Sequence, residues 1–312
     1  MIKRLLSWPV FLAVFIAALT ATGYFALQLR QNTPPPLAGP LAAEKGYGVT
    51  IDLTAYEATA LAETLADVRE RRLHWLRQPV NWAQIEPAPG EFEWQALDRI
   101  VAAIDQANAT AAGSSSELKL ILVLQTSPAW ARPPNTLPMT PPTELSDFGR
   151  FTRALAERYG PQVDYYQIWH EPNLSANWGD AFVNPAAYAD LLREAALNLR
   201  TADPTMHILT AALAPTLEEG PLNLNEMAYL DRLYQAQAAP WFDIVAGQPY
   251  GFDFEPGDPA RPDQLTFRRL ELLRQVMLTH GDAATPIWAT AFGWNALPAD
   301  WTGQPSPWKN AP

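Results

Sequence analysis

The chain has 312 residues, 48% of them hydrophobic and 18% charged, which is enough apolar content for a packed core and excludes wholesale disorder. Its 22 Lys and Arg against 33 Asp and Glu give a net charge of −11, which argues against a partner bound through a basic surface, so no nucleic acid is expected. The chain has no Cys, which removes disulfides, thiolate metal sites, iron–sulfur clusters and thiol nucleophiles together.

Lys3 and Arg4 precede an uncharged run from Leu5 to Leu29. About 20 apolar residues span a bilayer, and basic residues before the span keep the N-terminus in the cytoplasm. Residues 1–30 therefore read as a single-pass membrane anchor that places the rest of the chain outside the cytoplasm. A cleaved signal sequence, with Ala21-Thr22-Gly23 as a weak small-residue site, is the alternative and would give a secreted protein. Residues 31–45 carry Pro34, Pro35, Pro36 and Pro40 and read as an extended linker. The globular part then runs over residues 46–312.

Within it, short apolar runs alternate with amphipathic segments. The pattern predicts strands over Tyr47–Leu53, Leu73–Val80, Leu118–Leu124, Val163–Trp169, His207–Leu213, Phe242–Ala246 and Pro286–Thr290. It predicts helices over Glu57–Arg71, Gln95–Asn108, Thr143–Tyr159, Pro185–Arg200, Asn225–Ala236 and Leu265–His280. The near-continuous apolar stretch Leu118–Leu124 is what a strand buried on both faces requires. Such alternation argues for parallel β/α units, and a single domain of this size points to an α/β fold of the (β/α)8 TIM-barrel type. A doubly wound open sheet is the alternative, but no Gly-x-Gly-x-x-Gly follows any predicted strand. The turn-like segment after Trp294 leaves the last β/α unit of such a barrel unaccounted for, as a truncated gene product would.

In a barrel the chemistry sits at the C-terminal ends of the strands. Those positions hold Arg77, then Ser127-Pro128-Ala129-Trp130, Trp169-His170-Glu171-Pro172-Asn173, Gln248-Pro249-Tyr250-Gly251 and Ala291-Phe292-Gly293-Trp294. Aromatic and polar groups on one rim suit a sugar, whose apolar faces stack and whose hydroxyls take hydrogen bonds. Glu171, between Trp169 and Pro172, lies in a partly apolar setting that raises a carboxyl pKa, as a general acid needs. His74, His170, His207 and His280 have no paired spacing, so no metal and no cofactor is expected.

Ile168-Trp169-His170-Glu171-Pro172-Asn173 resembles the Trp-Asn-Glu-Pro-Asn signature of glycoside hydrolase clan A, as found in barrels of the family 39 and family 5 type (cellulase- and xylosidase-like). Val80 to Pro87 with Gly90 to Trp94 resembles the second-strand segment of those enzymes, Gln248-Pro249-Tyr250 resembles their His-Pro-Tyr, and Trp288 to Trp294 resembles their Thr-Glu-Phe-Gly-Trp segment. The resemblance covers roughly residues 46 to 300. It implies that Glu171 is the acid/base, that Arg77 and Tyr250 stand beside the nucleophile, and that Asn173, Trp130 and Trp294 form walls of a sugar site. It also implies three substitutions. Ala291 stands at the nucleophile position, His170 replaces an Asn that bonds a sugar hydroxyl, and Gln248 replaces a His. Glu86, Glu91 and Glu93 fall on structural positions, while Asp253 and Glu255 lie on a loop from which a stand-in carboxylate could come. Three functions follow as expectations: an impaired glycosidase acting on an extracellular oligo- or polysaccharide, a non-catalytic carbohydrate-binding or sensing pseudoenzyme, and an inactive truncated product.

Overall fold

A computed structural model describes residues 46–110, 117–294 and 302. The expected anchor and linker lie outside the described residues. Among those described, no helix is long and apolar enough to cross a membrane.

The elements alternate as the apolar spacing dictates. In order they are β1 (Tyr47–Thr50), α1 (Ala58–Glu70), β2 (Leu73–Asn81), α2 (Gln95–Ala109), β3 (Lys119–Gln125), α3 (Leu145–Tyr159), β4 (Tyr165–Ile168), α4 (Pro185–Ala202), β5 (His207–Leu209), α5 (Glu226–Gln235), β6 (Val245–Gly247), α6 (Leu270–Thr279) and β7 (Ile287–Ala289). Helix α2 buries Leu97, Ile100, Val101 and Ile104, a stripe with the 3.6-residue period. Helix α4 begins where Asn184 accepts a hydrogen bond from the Ala187 N–H at 3.1 Å, followed by Pro185, whose missing N–H is harmless at the first helical position.

Strands β1 to β5 pair in parallel in chain order, and β6 pairs in parallel with β7. Single bridges from Leu209 to Ile244 and from Leu213 to Gly247 join the two groups. A strictly sequential order has no reversal point, and a doubly wound sheet requires one. The sheet instead curls. Trp75 of β2, Ile121 of β3, Tyr165 of β4, Leu209 of β5, Ile244 and Trp288 of β7 form an interior cluster separate from the larger core under the helices. The Trp288 ring lies 4.9 Å from Trp75 and 5.3 Å from Tyr165, so side chains from the last described strand meet those from the second and fourth. Among the described residues no strand lies between β7 and β1. Their approach there rests on Thr50 Oγ1 donating to the Thr290 carbonyl at 3.5 Å and on the rings of Tyr47 and Phe292 at 6.3 Å.

Two expected strands are shorter than their apolar runs. β5 pairs with β4 over His207–Leu209, and beyond it the chain makes isolated bridges. β6 starts at Val245, just beyond Asp243, whose backbone N–H donates to the Ile208 carbonyl at 2.8 Å. The Asp243 carboxylate accepts from the Ile208 N–H at 2.8 Å and from Arg200 of α4 at 3.0 Å, with both side chains almost fully buried. Removing one member of a buried ion pair strands the other charge. Asp243→Ala is therefore expected to lower stability by about 3–5 kcal/mol, read as the shift of the urea midpoint.

Candidate active site

Side chains alternate across a strand, so residues two apart share a face. Arg77 stands two residues beyond Trp75 on β2, and Gln167 two beyond Tyr165 on β4. A polar layer thus sits directly above the aromatic layer, on the side of the strand C-termini. Arg77 Nε donates to Gln167 Oε1 at 3.0 Å, Nη1 lies 3.4 Å from Thr50 Oγ1, and Nη2 lies 3.3 Å from His170 Nδ1. Arg77 is 7% exposed and Gln167 is fully buried.

After β4 the backbone turns sharply. Trp169 has φ 70° and Glu171 φ 47°, both in the left-handed region that bulky residues avoid. Buried contacts hold the turn. The Trp169 indole donates to the Asn177 carbonyl at 2.9 Å, and Asn177 Nδ2 donates to Glu171 Oε2 at 2.9 Å. Gln248 stands beside the Glu171 carboxylate and favours its charged form. Burial pushes the Glu171 carboxyl up from its ordinary value, against the opposing pull of Gln248, Arg77 and Asn177. The setting favours a carboxylic acid able to deliver a proton.

His170 has the opposite perturbation. Burial, with the Arg77 charge beside it, pushes its pKa down to about 4, so the ring is neutral at pH 7. A guanidinium only donates, so Nδ1 is the acceptor and the ring proton sits on Nε2. That Nε2 faces Glu171 Oε1 at 3.7 Å, too long for a direct hydrogen bond. Arg77 is itself lowered to about 10 by burial and remains a cation at pH 7. Tyr250 is raised, first by burial and then by the Glu171 charge.

Arg77, Tyr250 and Ala291 line one cavity of about 540 Å³, together with Thr50, Trp75, Trp288 and Thr290 along the gap between β1 and β7. Trp130 is half-buried, edge-on to Trp82, and donates to the Glu86 carbonyl at 2.9 Å. Trp294 stacks on Phe267 at 4.7 Å and donates to the Phe254 carbonyl at 2.8 Å. Asn173, expected as a sugar-site wall, is held inside the protein by backbone groups. It is fully buried, its amide N–H groups reach the carbonyls of Ala214 and Leu224, and its oxygen accepts from the Ala214 N–H. Asn173 ties the loop after β5 to the Glu171 turn. Asn177 and Gln167 escaped the sequence reading. A Gln inside the otherwise aromatic and aliphatic run Tyr165–Ile168 was a signal for the second, whereas no local pattern marked Asn177. Glu86 is structural, its carboxylate accepting from the Trp82 indole at 2.6 Å and the Gly90 N–H at 2.8 Å. Asp253 and Glu255 are exposed on the loop after β6. Among the described residues no three His, Asp or Glu side chains are grouped as metal ligands would be.

The fold has many solved counterparts. A family 39 glycoside hydrolase from the gut symbiont Bacteroides cellulosilyticus WH2 superposes with a TM-score of 0.59 at 19% identity, covering 80% of this chain and 49% of that one. A monomeric β-xylosidase from Caulobacter crescentus CB15 gives 0.57 at 17% identity, covering 82% and 54%. A glucosidase from Croceicoccus marinus gives 0.58 at 14% identity, covering 85% and 56%. At these identities the likeness is one of fold, and it agrees with the clan A type barrel suggested by the motifs. The chain spans about half the length of these structures. No family model matches the chain, and no curated protein matches it.

The buried, neutral His170 has a consequence for stability. Its folded pKa of about 4 lies below the ordinary 6.5, so its contribution is complete above pH 6.5 and is lost as pH falls toward 4. His170→Asn removes that group, so the variant is expected to gain on the native chain by roughly 3 kcal/mol across this window. Parallel urea titrations between pH 7 and pH 4 measure the difference.

Proposed function

We propose that the protein binds an oligo- or polysaccharide at the rim above the polar layer, with Glu171 as the proton donor of a glycosidase-type site whose nucleophile position is filled by Ala291. The observation that supports this best is Glu171 itself. It is a largely buried carboxyl with a raised pKa, held on a strained turn by Asn177, near Gln248, Arg77 and Tyr250. The oxygen of Gln248 is buried without a partner, an acceptor that a ligand hydroxyl would satisfy.

Cleavage with retention needs a second carboxylate about 5–5.5 Å from the first, to attack the anomeric carbon. A methyl group cannot attack, so the covalent step of that route is missing and hydrolysis is impaired. Inversion needs a carboxylate about 6.5–9.5 Å away to activate water. Asp253 and Glu255 are the nearest in sequence to the rim residues, but both face solvent, without the burial that tunes Glu171. On this reading the protein is a carbohydrate-binding relative of the glycosidases, and its place of action is outside the cytoplasm.

The full chain, its Ala291→Glu variant and the Ala291→Glu, Glu171→Gln double variant are compared on a panel of glycosides with good and poor leaving groups. The native chain is expected to be silent, and Ala291→Glu to cleave at least one glycoside. Adding Glu171→Gln is expected to cost about 10²–10⁴-fold on the poorer leaving groups, the usual contribution of general acid catalysis. Ready turnover by the native chain would overturn the reading, since the attacking group would then lie elsewhere.

A further inference from the structure

Arg77 is a buried cation whose hydrogen-bonding partners are all neutral. Gln167 is an amide, Thr50 a hydroxyl, and His170 an uncharged imidazole accepting through Nδ1. Among the described residues no carboxylate lies within ion-pair distance of it, and Glu171 acts on it only at longer range. Among the described residues the other two buried arginines, Arg200 and Arg269, differ. Arg200 meets Asp243 at 3.0 Å and Arg269 meets Glu226 at 2.5 Å. A charge taken out of water without a partner is costly, and a guanidinium carries five N–H donors, of which three are directed at protein atoms here. The guanidinium borders the 540 Å³ cavity, whose wall on the β7 side is the small Ala291, with the hydroxyl-bearing Thr50, Thr290 and Tyr250 around it. The cavity is large enough for a ligand well beyond a single small ion.

We propose that Arg77 and this cavity form a binding site for a carboxylate monoanion, which supplies the countercharge that Arg77 lacks. A carboxylate fits because its two oxygens match two parallel guanidinium N–H groups, whereas a neutral hydroxyl leaves the charge uncompensated. The carboxylate has two sources, a free small acid or the acid group of a sugar. Only the second rests on the carbohydrate-binding reading above.

The test follows the melting temperature of the full chain at constant pH and ionic strength, with acetate against the isosteric but neutral acetamide. Acetate is expected to raise it saturably and acetamide to leave it unchanged. Arg77→Gln is expected to abolish the acetate response. Ala291→Glu, which tethers a carboxylate in the same cavity, is expected to weaken acetate binding at least tenfold. No saturable effect of acetate on the native chain overturns the proposal, as does an equal response in a folded Arg77→Gln. If Arg77→Gln does not fold, an undiminished response in Ala291→Glu overturns it. Galacturonate against galactose then separates the sources. Tighter binding of galacturonate than acetate assigns the site to an acidic sugar, and equal binding assigns it to the free acid. Acetate binding with no effect of either sugar supports the anion site while counting against the carbohydrate reading.

Discussion

The molecule depends on one piece of packing, the meeting of Trp75, Tyr165 and Trp288 inside the curled sheet. Parallel strands laid side by side in chain order do not by themselves decide whether the sheet stays open. Three large rings on one face remove that freedom, because they pack against one another only when β7 swings round to face β2 and β4. Once the sheet is curled, the residues two steps further along β2 and β4 are carried to a common centre. Arg77 and Gln167 hydrogen-bond across ninety residues of chain for this reason. The apolar layer comes first, and the polar layer inherits its geometry.

The turn that presents Glu171 shows how strain is contained. Two residues in the left-handed region cost of order 1–3 kcal/mol each and persist only where the surroundings overdetermine them. Here Trp169 is locked in the core and by its indole N–H, Asn177 holds the carboxylate, and Asn173 ties the far side of the turn to Ala214 and Leu224. Three side chains within a few residues of Glu171 therefore serve to hold it.

Much of this was legible in the residues. The apolar runs and helical stripes located seven strands and six helices close to their observed bounds, because burial on one or two faces writes directly into the period. The motif around Glu171 marked the rim. What the sequence could not carry was the part set by partners distant in the chain. Asn173 has the composition of a ligand contact but is turned inward by two backbone carbonyls from the loop after β5. Asn177 looks like an ordinary loop residue until the turn brings it against Glu171. The ion pair of Asp243 with Arg200 joins residues 43 positions apart and has no local pattern that announces it. Arg77 was placed at the centre by its position in the strand, but its neutral surroundings emerge only when Thr50, Gln167 and His170 are seen around it.

The interior aromatic layer also gives the fold an optical identity. Trp75 and Trp288 lie 4.9 Å apart with their planes at 64°, close enough for their electronic transitions to couple. The two indoles belong to β2 and β7, more than two hundred positions apart in the chain. Their coupling therefore exists only while the sheet is curled. Helix content would survive an opening of the curled sheet, but this coupling would be lost with the separation of β7 from the interior.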